Sequence, residues 1–251
     1  MKILVCICEV IQPVENIQMD EHGKLIDESS LTFKINPYDE SALALSSQLK
    51  ESNRESTIIH IVTVGLQMRA EALVRKALAI CGDAGFILNA NCNEPLSTAK
   101  LISNFASAGN YDLIICGKEA TDYRSGVVGS MVGNLLGITS ITNVTSIAIE
   151  GTQIYCQSKI DNIFISRKTD LPLLISVLCE IAQPQVPTMR GLILAKSKPI
   201  EIIECSTSTD LLHIVGYHMN NNAVKTKFFE QSELGKAAAV LHQISQHVKS
   251  N

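Results

Sequence analysis

"GKEATDYRSGVVGSMVGNLLG", residues Gly117–Gly137, places glycines at Gly126, Gly129, Gly133 and Gly137 behind an Asp-Tyr-Arg-Ser turn. It continues from "YDLIIC", a short apolar run of the kind that forms a strand buried on both faces. Strand, turn and glycine-rich helix make the crossover unit of an α/β sheet, and the carboxyl end of such a strand is where open α/β folds bind ligands. A helix opening near Ser125 would offer unpaired N–H groups and a partial positive charge to a phosphate. Gly126 and Gly129 would let a ligand approach the backbone, whereas Gly133 and Gly137 read as helix packing or helix end. The pattern is neither G-x-G-x-x-G nor a Walker loop. The residues alone therefore leave two readings open: a phosphate cradle, or a helix with one small-residue face against a sheet.

Further strands of the same buried type precede it in "KILVCIC" (Lys2–Cys8), "STIIHIVTV" (Ser56–Val64) and "GFIL" (Gly85–Leu88). Between them, "NPYDESALALSSQLKE" begins a helix with Asn36 as N-cap and Pro37 at the first helical position. "QMRAEALVRKALAICG" sets Ala70, Leu73, Ala77 and Ile80 on one face and stops at Gly82, and "STAKLISNFASAG" stops at Gly109. This alternation predicts an α/β fold, a doubly wound and mostly parallel sheet flanked by helices, Rossmann-like. After Gly137, an Ile/Val/Thr-rich stretch with turn signals at Glu150-Gly151 and Asp161-Asn162 predicts an antiparallel hairpin insertion. "LPLLISVLCEI" then returns one more strand to the sheet. The expected division is a nucleotide-binding domain over 1–205 and a C-terminal arm over 206–251, ending in the amphipathic helix "SELGKAAAVLHQISQHV" and packing on a partner subunit.

Composition narrows the class. Of the 251 residues, 46% are hydrophobic and 18% charged, an ordinary globular balance, and the net charge of −4 gives no basic stripe for nucleic acid. "KTK" at Lys225–Lys227 is too short to count as one. The apolar run in "MKILVCICEV" is too short for a signal peptide and closes on Glu9, and no stretch approaches the roughly 20 apolar residues of a membrane span. The expected location is cytoplasmic, or the mitochondrial matrix in a eukaryote, with no direct membrane insertion. Eight scattered cysteines without a C-x-x-C pair read as small hydrophobes and not as metal ligands.

Several stretches together resemble the beta subunit of electron transfer flavoprotein. "MKILVCICEV" resembles that family's first strand, and "INPYDESALALSSQLKE" its Asn-Pro motif and following helix. "ALVRKALAICGDAG", "DLIICGKEATD" and "PTMRGLILAKSKPIEI" resemble three further family segments, in the same order and spacing over about residues 1–205. The resemblance implies an electron carrier subunit with no catalytic residue of its own. It would bind AMP, or a second FAD, and form a heterodimer with an alpha subunit that carries the redox FAD. That heterodimer would take electrons from acyl-CoA dehydrogenases of fatty acid oxidation, or related dehydrogenases, and pass them to a respiratory-chain acceptor. Carried over, the nucleotide pocket falls on Cys6, Asn36, Val64, Gly65 and the run Asp122, Arg124, Ser125, Gly126, Val127, Val128, Gly129, Ser130 and Gly133. This favours the cradle. The dehydrogenase-recognition loop falls on Gln183–Lys196, with Met189 as anchor beside Pro187 and Leu192.

The departures from that pattern fall at ligand and interface positions. Cys8-Glu9 replaces a basic residue after the first strand, Val127 stands where a glutamine is usual, "CQSKIDNIFI" lacks the glycine pair of the family signature, and "MNNNAVK" stands for a Pro-Pro-x-Arg motif. Arg124 could replace some of the lost charge opposite a phosphate. These departures motivate a second reading, a stand-alone nucleotide-binding or stress-type α/β protein, self-paired as a homodimer or not, and without redox role. No Walker lysine or Ser-Gly-Gly loop supports an enzyme that adenylates or hydrolyses a nucleotide.

Overall fold

A computed structural model of the chain describes residues 1–12, 31–52, 56–92, 94–206, 229–230 and 233–249. The stretches "KTK" and "MNNNAVK" lie outside them. Two compact units are present, Met1–Val215 and Gly216–Asn251.

The first unit is built on a nine-stranded sheet of order β11-β5-β4-β1-β6-β10-β7-β8-β9. Its strands are β1 (Lys2–Cys6), β4 (Ile58–Gly65), β5 (Ala84–Asn89), β6 (Leu113–Gly117), β7 (Thr139–Glu150), β8 (Gln153–Ile160), β9 (Ile163–Asp170), β10 (Leu173–Val177) and β11 (Ile200–Glu204). β2 (Glu9–Ile11) and β3 (Phe33–Ile35) form a separate two-stranded antiparallel ribbon. Pairing is parallel from β11 through β7, and only the β7-β8-β9 meander runs antiparallel. Its two turns sit where the sequence places them, and Gly151 and Asp161 take the left-handed backbone at φ 64° and 52°.

The period-2 geometry of a strand divides the apolar runs between two layers. Ile3 and Val5 of β1, with Leu113 and Ile115 of β6, face one core with helices α1 (Pro37–Ser52) and α2 (Gln67–Ile80). Leu4 of β1 and Ile114 of β6 face the other, with α3 (Pro95–Ser107) and α4 (Val128–Leu136). Helices on both faces require strands without a polar side, and the central strands have none. The short helix α5 (Met189–Ala195) packs on α2, with Gly191 so close to the Ala79 carbonyl that a Cβ would collide with it.

Three elements differ from expectation. The first strand ends at Cys6, not Cys8, because the chain leaves the sheet after Ile7, whose amide still donates to the Val62 carbonyl at 2.9 Å, and enters the β2-β3 ribbon at Glu9. The glycine-rich helix begins at Val128, not Ser125, since Arg124 (φ 50°) and Gly126 (φ 63°) hold left-handed conformations that no α-helix admits. Gly82 closes α2 by close packing, not by a left-handed turn: a Cβ there would lie 2.6 Å from Ile61 Cγ1.

The second unit contains α6 (Leu234–Lys249), whose first turn carries a Lys236–Glu233 ion pair at 2.8 Å. No helix among the described residues is long and apolar enough to cross a membrane.

Candidate nucleotide site at the strand-order reversal

From β1 the chain moves outward to β4 and β5 on one side, then returns to β6 on the other. The reversal falls between the carboxyl ends of β1 and β6, the position at which doubly wound sheets form a ligand crevice. Segment 36–39, "NPYD", organises it. The Asn36 side chain donates to the Glu119 carbonyl at 2.9 Å and accepts from the Thr121 amide at 3.2 Å. Its own amide donates to the Cys8 carbonyl at 3.1 Å. Asn36 stands at the expected N-cap position, directly before Pro37 at the start of α1. Asn36 receives the Asp39 and Glu40 amides on its backbone carbonyl, while its side chain ties down the loop after β6.

Asp39 makes the tighter junction. Its Oδ1 accepts from the Gly117 amide at 2.9 Å and its Oδ2 from the Cys8 amide at 2.8 Å, so one carboxyl group spans both strand ends. Gly117 is a glycine for this reason: a Cβ there would collide with Asp39 Oδ1. Burial raises the Asp39 carboxyl from 3.8 to about 6, and hydrogen bonds from Cys8, Gly117 and Asn36 oppose the rise without cancelling it. Burial also raises the thiols of Cys6 and Cys8 well above their ordinary value and pushes Cys116 up to about 12, so none of the three is a thiolate nucleophile. Sequence reading missed Asp39 as part of the site. An acid in the first turn of a helix is common and carries no local mark of such a role, and only the fold brings two strand ends to it.

The expected binding residues divide into three groups. Cys6, Asn36, Val64 and Gly65 stand at the carboxyl edge of β1 and β4, and the space a Cβ would fill at Gly65 is open. Asp122, Arg124, Ser125 and Gly126 form an exposed turn in which Arg124 Nε reaches only the Thr121 carbonyl, at 3.4 Å. Val127, Val128, Gly129 and Ser130 form the head of α4, where no side chain caps the helix. The amides of Val128, Gly129 and Ser130 have no carbonyl behind them in the helix, which suits an anion. Gly129 also serves packing, since a Cβ would lie 2.6 Å from Cys116 Sγ. Gly133 is buried against Ser140 and stands away from the helix head, so its glycine is explained by helix–sheet contact. Of the two readings of the stretch, helix–sheet packing is met at Gly129 and Gly133, and the uncapped head of α4 has the amides that a cradle would use.

Pro187, Met189 and Leu192 belong to a different surface, on and before α5. Met189 is 75% exposed, beside Val186 at 87% and Ile193 at 62%. Thr188 caps this helix by accepting the Gly191 amide at 3.0 Å. A cleft of about 570 Å³, lined by His60, Phe86, Phe105 and Tyr111, runs along β4 and β5 beside α3 and contains none of the expected binding residues.

The profile of the family described as "Electron transfer flavoprotein domain" matches residues 24–208. Among curated proteins, the chain is similar to the electron transfer flavoprotein subunit beta of Bacillus subtilis (strain 168), with 34% identity over 188 residues covering 73% of this chain and 72% of that one. It is similar to the subunit beta of Syntrophomonas wolfei at 27% identity, covering 87% of this chain and 86% of the relative. The subunit beta of Megasphaera elsdenii is 27% identical, with coverage of 82% and 79%.

Proposed function

The chain belongs to the electron transfer flavoprotein family as a beta subunit, and on that premise we propose that it is the nucleotide-holding half of a heterodimeric electron carrier. It holds AMP, or a second FAD, at the β1/β6 crevice and pairs with an alpha subunit bearing the redox FAD. The heterodimer accepts electrons from acyl-CoA or related dehydrogenases and delivers them to a respiratory-chain acceptor. A flavin supplies the redox chemistry when bound; this chain supplies position and electrostatics.

The observation that carries the reading is the convergence of Asn36 and Asp39 on the loops after β1 and β6. It fixes a crevice flanked by the open edge at Gly65 and the uncapped head of α4. The amides of Val128, Gly129 and Ser130 would receive the phosphate, and Gly65 leaves room for the nucleoside. Arg124, exposed on the preceding turn, is free of any carboxylate ion pair among the described residues and adds charge opposite the anion. The apolar knob at Met189 docks the dehydrogenase, and a thioether adapts to more than one partner surface.

Co-expression with an alpha subunit tests the proposal. The expected result is a yellow heterodimer from which denaturation releases AMP, or FAD beyond one equivalent, identified by mass spectrometry. A colourless homodimer that releases no nucleotide would overturn it.

A further inference from the structure

The amides of Cys8 and Gly117 flank the crevice, and both are already taken by Asp39. Groups facing this carboxylate are the thiols of Cys8, of Cys6 on β1, of Cys116 on β6 and of Cys179 after β10, with Asp122 facing Cys8 in turn. All four thiols are raised, burial being the largest cause, and so stay protonated. Lys118, the residue after Gly117, pairs with Glu119 at 3.7 Å. Gly129, in the first turn of α4, packs on Cys116 from the other face of the sheet. The α4 amides and Asp39 therefore stand on either side of the last two residues of β6.

We propose that Asp39 is a proton-linked positioning residue of this site: ionised, it ties the ends of β1 and β6 together and opposes a second anion in the crevice, and it takes up a proton when an anionic nucleotide binds at the head of α4. The inference rests on the nucleotide reading above. A fixed anion nearby in a protein interior raises a carboxyl by about one unit or more. Burial has already brought Asp39 to about 6, so the added shift carries it toward neutrality. Its charge also sets direction. The phosphate goes to the α4 amides, while the uncharged nucleoside end lies over β1 and β4.

Isothermal titration of the full-length chain with adenosine 5′-sulfate, whose sulfate does not titrate, tests this in two buffers of different ionisation enthalpy. Wild-type protein is expected to take up about half a proton per ligand near pH 6.5 and to lose roughly three- to tenfold in affinity between pH 5.5 and 7.5. Asp39→Asn should show no uptake and a flat profile. Binding without proton uptake by wild-type protein, or an unchanged slope in folded Asp39→Asn, overturns the inference and leaves the nucleotide reading intact. If neither the ester nor AMP binds wild-type protein at any pH in the range, both readings fall. Should Asp39→Asn not fold by circular dichroism, the wild-type proton balance decides alone.

Discussion

Arg75 and Lys198 hold each other's segments. The Arg75 guanidinium donates to the Lys198 carbonyl at 2.8 Å and to the Ala195 carbonyl at 2.6 Å, at the end of α5. Lys198 Nζ in return donates to the Leu78 and Gly82 carbonyls at 2.7 and 2.6 Å, at the end of the helix that carries Arg75. Lys198 thereby satisfies the Leu78 carbonyl in the last turn of α2, and Arg75 adds a charged donor to the Ala195 carbonyl, which also accepts the Lys198 amide at 3.3 Å. The exchange fixes α5, and with it the exposed Met189, on α2.

Removing either cation should therefore cost more than a surface charge would. Arg75→Met and Lys198→Met are each expected to destabilise by about 1–3 kcal/mol in urea titrations, since two carbonyls lose a charged donor in each case. The double variant should cost less than the two single losses together, by at least about 0.5 kcal/mol. Additive losses would show that the two clamps act independently.

Met189→Ala separates docking from stability. The side chain is 75% exposed, so the melting temperature should move by no more than about 2 °C. Electron transfer from a dehydrogenase to the assembled heterodimer should fall roughly tenfold, the loss of one apolar anchor. Stopped-flow reduction of the flavin reads the rate, and an unchanged rate would overturn the docking role proposed for Met189.

Gly133→Ala drives a Cβ into the Ser140 hydroxyl. The expected loss is about 1–3 kcal/mol from overpacking at the α4–β7 contact. Ser140→Ala removes the clashing oxygen but leaves Ser140 Cβ at 3.2 Å, so the double variant should recover part of that loss. Thermal unfolding of the four proteins measures the coupling. With no recovery, the clash does not lie at this hydroxyl.

Asp39 gives a pH dependence of definite sign. Its carboxyl titrates at about 6 in the folded chain against 3.8 unfolded, so between those values the folded state binds more protons. The stability this group contributes is full below pH 3.8 and is lost as pH rises through 6. Relative to Asp39→Asn, wild-type protein should lose on the order of 3 kcal/mol between pH 4 and pH 7 in urea titrations. A difference independent of pH would mean that the carboxyl titrates near its ordinary value.

Periodicity and turn chemistry by themselves determined the parallel sheet, its flanking helices and the hairpin turns at Gly151 and Asp161. Each of these depends on residues close together in the chain. The resemblance carried by Asn36, the "DLIICGKEATD" run and the stretch around Met189 was legible for the same reason, because local segments keep their local pattern. Where α4 starts was not legible, because the left-handed turn at Arg124 and Gly126 leaves no mark that separates it from a helix-ready stretch. Nor could the chain reveal that Gly129 and Gly133 face Cys116 and Ser140, or that Asp39 accepts from both Cys8 and Gly117. Asp39 and Gly117 are 78 residues apart in sequence, and only the tertiary structure, by laying β6 beside β1, brings the Cys8 and Gly117 amides to one carboxylate, while the two glycines meet their partners only once α4 packs back on the sheet.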